Sequence, residues 1–154
     1  MLEVKALLFD VFGTVVDWRT GIAKEIQIIA KKYNIFLNAE DFADAWRAEY
    51  QPAMEEIRNG GRDFTILDIL HLENLKKIAP RFDLNNLTNE DLNFLVTAWH
   101  RLPGWSDTSQ GLNKLKKKFI LATQSNGNIA LMVNMAKHSN LNWDVILGAE
   151  VVGH

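Results

Sequence analysis

The chain opens on a short apolar run, Val4-Lys5-Ala6-Leu7-Leu8-Phe9, that stops at Asp10. Near-continuous apolarity over so few positions predicts a strand buried on both faces, as in a parallel sheet. Phe119-Ile120-Leu121-Ala122-Thr123 and Trp143-Asp144-Val145-Ile146-Leu147-Gly148 have the same character. Each of these follows positions with helical spacing: Leu112 and Leu115 before the second run, Ile129, Met132, Val133 and Ala136 before the third. Strand and helix in alternation predict an α/β fold with a parallel sheet and right-handed crossovers.

About a hundred residues separate the first and second runs, far more than an ordinary crossover, and none of them alternates like a strand. Ile22, Ile26, Ile29 and Ala30 mark one helix, ending near Asn34. Phe42, Ala45, Trp46, Glu49 and Tyr50 mark a second, which Pro52 must kink or break. Asn59-Gly60-Gly61 is a stop. Ile66, Ile69, Leu70, Glu73 and Lys77 mark a third helix, closed before Pro80. Thr88 is a cap, with Glu90 and Asp91 in the first turn ahead of Leu92, Leu95, Val96 and Trp99. The predicted layout is a discontinuous core, residues 1–15 and 102–154, interrupted by a four-helix insert over 16–101.

Composition narrows the chemistry. Hydrophobic residues are 47% and charged residues 23% of the 154, which excludes disorder as the main state. The net charge of -2 shows no basic stripe for nucleic acid, and the run Lys114 to Lys118 reads as a solvated helix end. With no cysteine, disulfides, thiol nucleophiles and cysteine-based metal sites are excluded. No apolar run reaches membrane-spanning length, and Met1-Leu2-Glu3-Val4-Lys5 is unlike a signal peptide, so a cytoplasmic protein is expected. His71, His100, His138 and His154 lack paired metal spacing, and the five tryptophans read as packing.

Ligands of open α/β sheets gather at the carboxyl ends of the strands. The first strand delivers Asp10, then Val11-Phe12-Gly13-Thr14-Val15-Val16-Asp17; the second delivers Gln124-Ser125-Asn126-Gly127 and then a helix. A carboxylate thus faces a hydroxyl, an amide and the N–H groups of a helix start, which together favour an anion. Taken singly, Asp10 is equally a turn or cap residue and Ser-Asn-Gly an ordinary turn.

Phe9-Asp10-Val11-Phe12-Gly13-Thr14-Val15-Val16-Asp17-Trp18-Arg19 resembles the first motif of the haloacid dehalogenase superfamily, and Ala122-Thr123-Gln124-Ser125-Asn126-Gly127 its second. The helical insert resembles that superfamily's cap domain, and the nearest resemblance is to type II (S)-2-haloacid dehalogenases. It implies a Rossmann-like parallel-sheet core with a helical cap. Superfamily phosphatases place a second Asp two residues after the nucleophile to protonate an alkoxide; here that position is Phe12. A halide leaves without a proton, so Phe12 suits dehalogenation; the alternative is that Phe12 only packs, in a member with another task.

The resemblance implies that Asp10 attacks the α-carbon of a 2-haloalkanoate, forming an ester that water hydrolyses to a 2-hydroxy acid. Thr14 would orient Asp10, Ser125 and nearby N–H groups would hold the substrate carboxylate, and Asn126 would cradle the halide. A cap arginine is expected at the halide: Arg47, mid-helix in Trp46-Arg47-Ala48-Glu49-Tyr50, with Arg19 as competitor. Otherwise Arg47 is a surface residue paired with Asp44, three residues earlier. No cofactor and no metal are expected. The family's third motif, with a lysine, and its acidic fourth motif would follow the third strand, where this sequence reads Gly148-Ala149-Glu150-Val151-Val152-Gly153-His154. The chain therefore resembles a C-terminally truncated dehalogenase, with dehalogenase activity expected of the complete form, and its exposed first strand would favour a homodimer or other self-association. The alternatives are a phosphatase of the same superfamily and a non-catalytic remnant.

Overall fold

The computed structural model describes residues 3–153; Met1, Leu2 and His154 lie outside them, and with them part of the leader reading and one of the four histidines. Contacts divide these residues into two units: 3–18 with 100–153, and 19–99.

In the first unit, strand β1 (Ala6–Phe9) pairs in parallel with β2 (Ile120–Thr123), in the register Ala6↔Ile120 to Phe9↔Thr123. Between them in sequence comes α6 (Thr108–Leu115), and after β2 comes α7 (Ile129–His138). Leu121, Leu131 and Met135 are fully buried there, as are Val11 and Val16 of the loop after β1. The expected double-sided burial holds for β2, not for β1. Leu8 is 55% exposed, and β1 has a strand neighbour on one edge only among the described residues.

The third predicted strand does not form as a continuous ladder. Residues 143–148 pair in parallel with β2 at one bridge, Ala122↔Val145, and with the loop after it at a second, Ser125↔Gly148. Between these bridges Thr123 still donates its N–H to Val145 O at 3.2 Å, but its hydroxyl takes over the pairing with Leu147. It donates to Leu147 O at 2.8 Å and accepts the Leu147 N–H at 3.0 Å. Lys116 secures the segment's start, bonding the Asp144 carboxylate at 2.8 Å and the carbonyls of Asn142 and Trp143. The Asp144 carboxyl is thereby held below its ordinary range, first by Lys116 and then by the Leu121 N–H. So one lysine of the basic run is structural. The chain then closes with a single helical turn, α8 (Ala149–Val152).

The second unit is helical. It holds α1 (Trp18–Tyr33) from Arg19 onward, α2 (Ala39–Ala48), α3 (Tyr50–Arg58), α4 (Leu67–Ile78) and α5 (Asn89–Val96). The expected four helices are five among the described residues, because the second breaks at Glu49. Pro52 then falls in the first turn of α3, where its missing N–H costs no intrahelical bond. Asn34 and Asp83 end helical segments with φ of 52° and 59°, a left-handed conformation such short polar residues tolerate. Asn38 caps α2 by accepting from the N–H groups of Glu40 and Asp41, and Thr88 with Asp91 forms a capping box on α5. Trp46 and Trp99 are buried at this unit's centre, edge-to-face with centroids 5.4 Å apart, and His71 stacks on Trp99 at 4.3 Å. Burial of each such indole contributes roughly 4–6 kcal/mol before entropy is counted. No helix among the described residues is long and apolar enough to cross a membrane.

Candidate active site

β1 ends at Phe9, so Asp10 leaves the sheet at its carboxyl edge. The next residues fold back tightly: Gly13 N–H donates to Val16 O at 3.0 Å and Val15 N–H to Val11 O at 2.9 Å. Gly13 has φ of 92°, a backbone region that disfavours any side chain, so glycine is required at that corner. The fold-back aims Thr14 at the strand end, and its hydroxyl donates to Asp10 Oδ2 at 2.7 Å. The apolar side chains of Val11, Val15 and Val16 anchor the loop from below while Asp10 and Thr14 remain exposed.

The adjacent strand delivers the second loop. Gln124 N–H donates to Phe9 O at 2.7 Å, so the two loops leave neighbouring strand ends in register. Ser125 is half-buried, and its Oγ accepts the Gly127 N–H at 3.1 Å, which shapes the turn before α7. Asn126 is exposed at the turn's apex. The Phe12 ring lies against this turn: a Cβ on Gly127 would stand 3.4 Å from Phe12 Cε2 and 2.7 Å from Met132 Sδ. Asp10, Phe12, Thr14, Ser125 and Asn126 therefore all sit on two loops of one sheet edge. The expected open helix start is partly taken, however. Glu150 from α8 accepts the N–H of Ile129, the first residue of α7.

Sequence reasoning missed the groups that hold the first loop from outside. Trp105 donates its Nε1–H to Gly13 O at 3.1 Å and its backbone N–H to Val15 O at 3.2 Å, while the Thr108 hydroxyl donates to Val15 O at 2.9 Å. No periodicity marks such contacts, since they join residues some ninety positions apart.

The two candidate arginines, Arg19 and Arg47, differ. Arg19 is bonded to Asp44 and Glu40, and these carboxylates push its guanidinium further above its ordinary range, Asp44 first. Asp44 is correspondingly lowered by Arg19, so the expected alternative, Asp44 paired with Arg47, gives way to a longer-range pair. Arg47 is half-buried and lies over the Tyr50 ring, 4.2 Å from its centroid. Among the described residues no group of three His, Asp or Glu side chains could hold a metal ion. Buried His71 packs on Trp99, and His100 Nδ1 lies 3.0 Å from the Asn134 amide.

Known structures place this architecture. A crystal structure of a defluorinating L-2-haloacid dehalogenase is 45% identical over 96% of this chain, with a TM-score of 0.92, and the match covers 61% of that protein. A second L-2-haloacid dehalogenase is 41% identical over 99% of this chain, with a TM-score of 0.92 and 65% of its own length covered. The L-2-haloacid dehalogenase of Xanthobacter autotrophicus shares the fold at 19% identity, with a TM-score of 0.83, 98% of this chain and 59% of its own length. The chain thus spans less than two thirds of the length of these relatives. The sequence matches no family model and no curated protein.

Proposed function

We propose that the chain belongs to the haloacid dehalogenase superfamily, as its likeness to two L-2-haloacid dehalogenases supports, and that its function is hydrolytic dehalogenation of short 2-haloalkanoic acids to 2-hydroxy acids. The observation that carries this reading is the Asp10 carboxylate at the end of β1, with Thr14 bonded to Oδ2 and the aromatic Phe12 where a proton donor for an alkoxide would stand.

The chemistry follows from the charges. Thr14 ties down Oδ2, and the carboxylate attacks the α-carbon in line. The carbon–halogen bond breaks with inversion and its electron pair leaves as halide, a stable anion that needs no acid. The product is an ester between Asp10 and the 2-oxyacid. Water then adds to the Asp10 carbonyl carbon; the ester C–O bond breaks, the 2-hydroxy acid leaves, and the carboxylate is restored with release of one proton. Ser125 and the N–H groups of its turn would hold the substrate carboxylate, and Asn126 and Arg47 would stabilise the halide. The proposal includes a domain role, residues 16–101 acting as a cap on the 1–15 and 102–154 core, and a cytoplasmic location. It assigns no cofactor.

The test is incubation with 2-chloropropionate, followed by halide measurement and intact-mass spectrometry. Halide release, or an ester adduct mapped to Asp10, is expected. Magnesium-dependent phosphate release from phosphoesters, with neither halide nor adduct, would replace the dehalogenase reading with a phosphatase.

A further inference from the structure

We infer that Glu150 and Gly148 are positioning residues that fix the turn carrying Ser125 and Asn126. The inference rests on the reading above, in which that turn receives the substrate. Residues 148–150 hold the turn at both ends. At its start, Gly148 bridges Ser125, and Ala149 N–H donates to Ser125 O at 3.1 Å. At its end, the Glu150 carboxylate accepts the N–H of Ile129, 21 residues earlier. The cap residue of α7, Asn128, makes no side-chain capping bond there, so the capping task falls to Glu150. A carboxylate suits that position, because the helix start carries partial positive charge.

Gly148 is needed for space. Its φ of −173° is open to any residue, but a Cβ there would lie 2.6 Å from Ser125 O and 3.0 Å from Gly127 O. Both are backbone atoms of the turn, so a side chain at 148 must push the turn away. The consequence concerns which groups meet the substrate. The chain's own carboxylate takes the Ile129 N–H, and the Gly127 N–H goes to Ser125 Oγ. Ser125 Oγ, accepting from Gly127, still has its own proton to donate. Substrate recognition then falls to that hydroxyl and the turn's other N–H groups, held in place by Glu150 and Gly148.

The experiment compares Glu150→Ala, Glu150→Gln and Gly148→Ala with the full 154-residue chain. Amide hydrogen exchange is read at Gly127 and Ile129, with circular dichroism to confirm folding. Glu150→Ala should speed Ile129 exchange about tenfold or more, and Glu150→Gln, which keeps an acceptor, should restore most of the protection. Gly148→Ala should speed both amides. Exchange unchanged in Glu150→Ala, or lost equally in Glu150→Gln, would overturn the inference. A second arm measures 2-chloropropionate: Glu150→Ala should raise KM about tenfold with kcat nearly kept, and Glu150→Gln should recover it. A fall in kcat at constant KM would overturn the positioning role. If the unaltered chain shows no turnover of 2-chloropropionate, the exchange arm alone still decides whether Glu150 holds the turn.

Discussion

Arg19 grips Asp44 through two parallel bonds, Nε to Oδ1 and Nη2 to Oδ2, each 2.8 Å long. Its Nη1 donates to Glu40 at 2.6 Å, so the start of α1 is tied to α2. Arg19 is thus committed to two carboxylates, while Arg47 rests on an aromatic face. Arg47 lies in the last turn of α2 rather than mid-helix as expected, and Arg47→Ala should cut halide release and leave the fold intact, since alanine is the best helix former. Arg19→Ala should lower the melting temperature slightly with little effect on the chemistry. Steady-state kinetics and thermal unfolding of both variants check the assignment; a crippling Arg19→Ala beside a silent Arg47→Ala would reverse it.

Asp10→Asn should abolish halide release, because a neutral amide is a far poorer nucleophile than a carboxylate. Thr14→Val keeps the volume of the side chain and removes its hydroxyl. It should lower kcat by roughly tenfold to a hundredfold, the equivalent of about 1.5–3 kcal/mol for a hydrogen bond to a charged group. Wild-type turnover in Asp10→Asn would remove Asp10 from the mechanism.

Asp91 is a buried carboxylate bonded to Lys32 at 2.6 Å, to the Tyr33 hydroxyl at 2.6 Å and to Thr88. Lys32 first, and Tyr33 next, hold its carboxyl well below the usual carboxylate range. A lowered pKa stabilises the folded state fully above the unfolded value of about 4, and that contribution is lost as the pH falls below it. The thermal stability of the wild type should therefore fall progressively as the pH drops below about 4. Asp91→Asn should flatten that slope and cost about 1 kcal/mol or more at neutral pH, through the weakened capping box. Equal slopes in the two proteins would show that other carboxylates govern acid stability.

Val4, Leu8 and Ile120 are 61%, 55% and 53% exposed along and beside β1. An apolar strand with one open edge is a template for pairing with another chain. The 154-residue chain should therefore self-associate, with a second copy as its simplest partner. Sedimentation velocity should show dimers or larger species, and Leu8→Lys should shift the distribution toward monomer. A wild-type chain that is monomeric at all concentrations would refute this prediction.

The sequence by itself determined the elements whose cause is local. Apolar runs marked β1 and β2; helical spacing and caps such as Thr88 marked the helices; the residues that follow each strand marked Asp10, Thr14, Ser125 and Asn126 as one edge's loop residues. These need only periodicity, turn chemistry and the rule that strand carboxyl ends carry ligands. Tertiary structure decided what depends on contacts distant in sequence. The segment 143–148 looked like a strand, yet Thr123's side chain replaces part of its ladder. The α7 start looked open to an anion, yet Glu150 occupies it from 21 residues away. Asp44 stood three residues from Arg47, the spacing of a helical pair, yet it faces Arg19 from 25 residues away. In each case a side chain's partner was set by where the backbone brought another element, and spacing along one element carries no record of that.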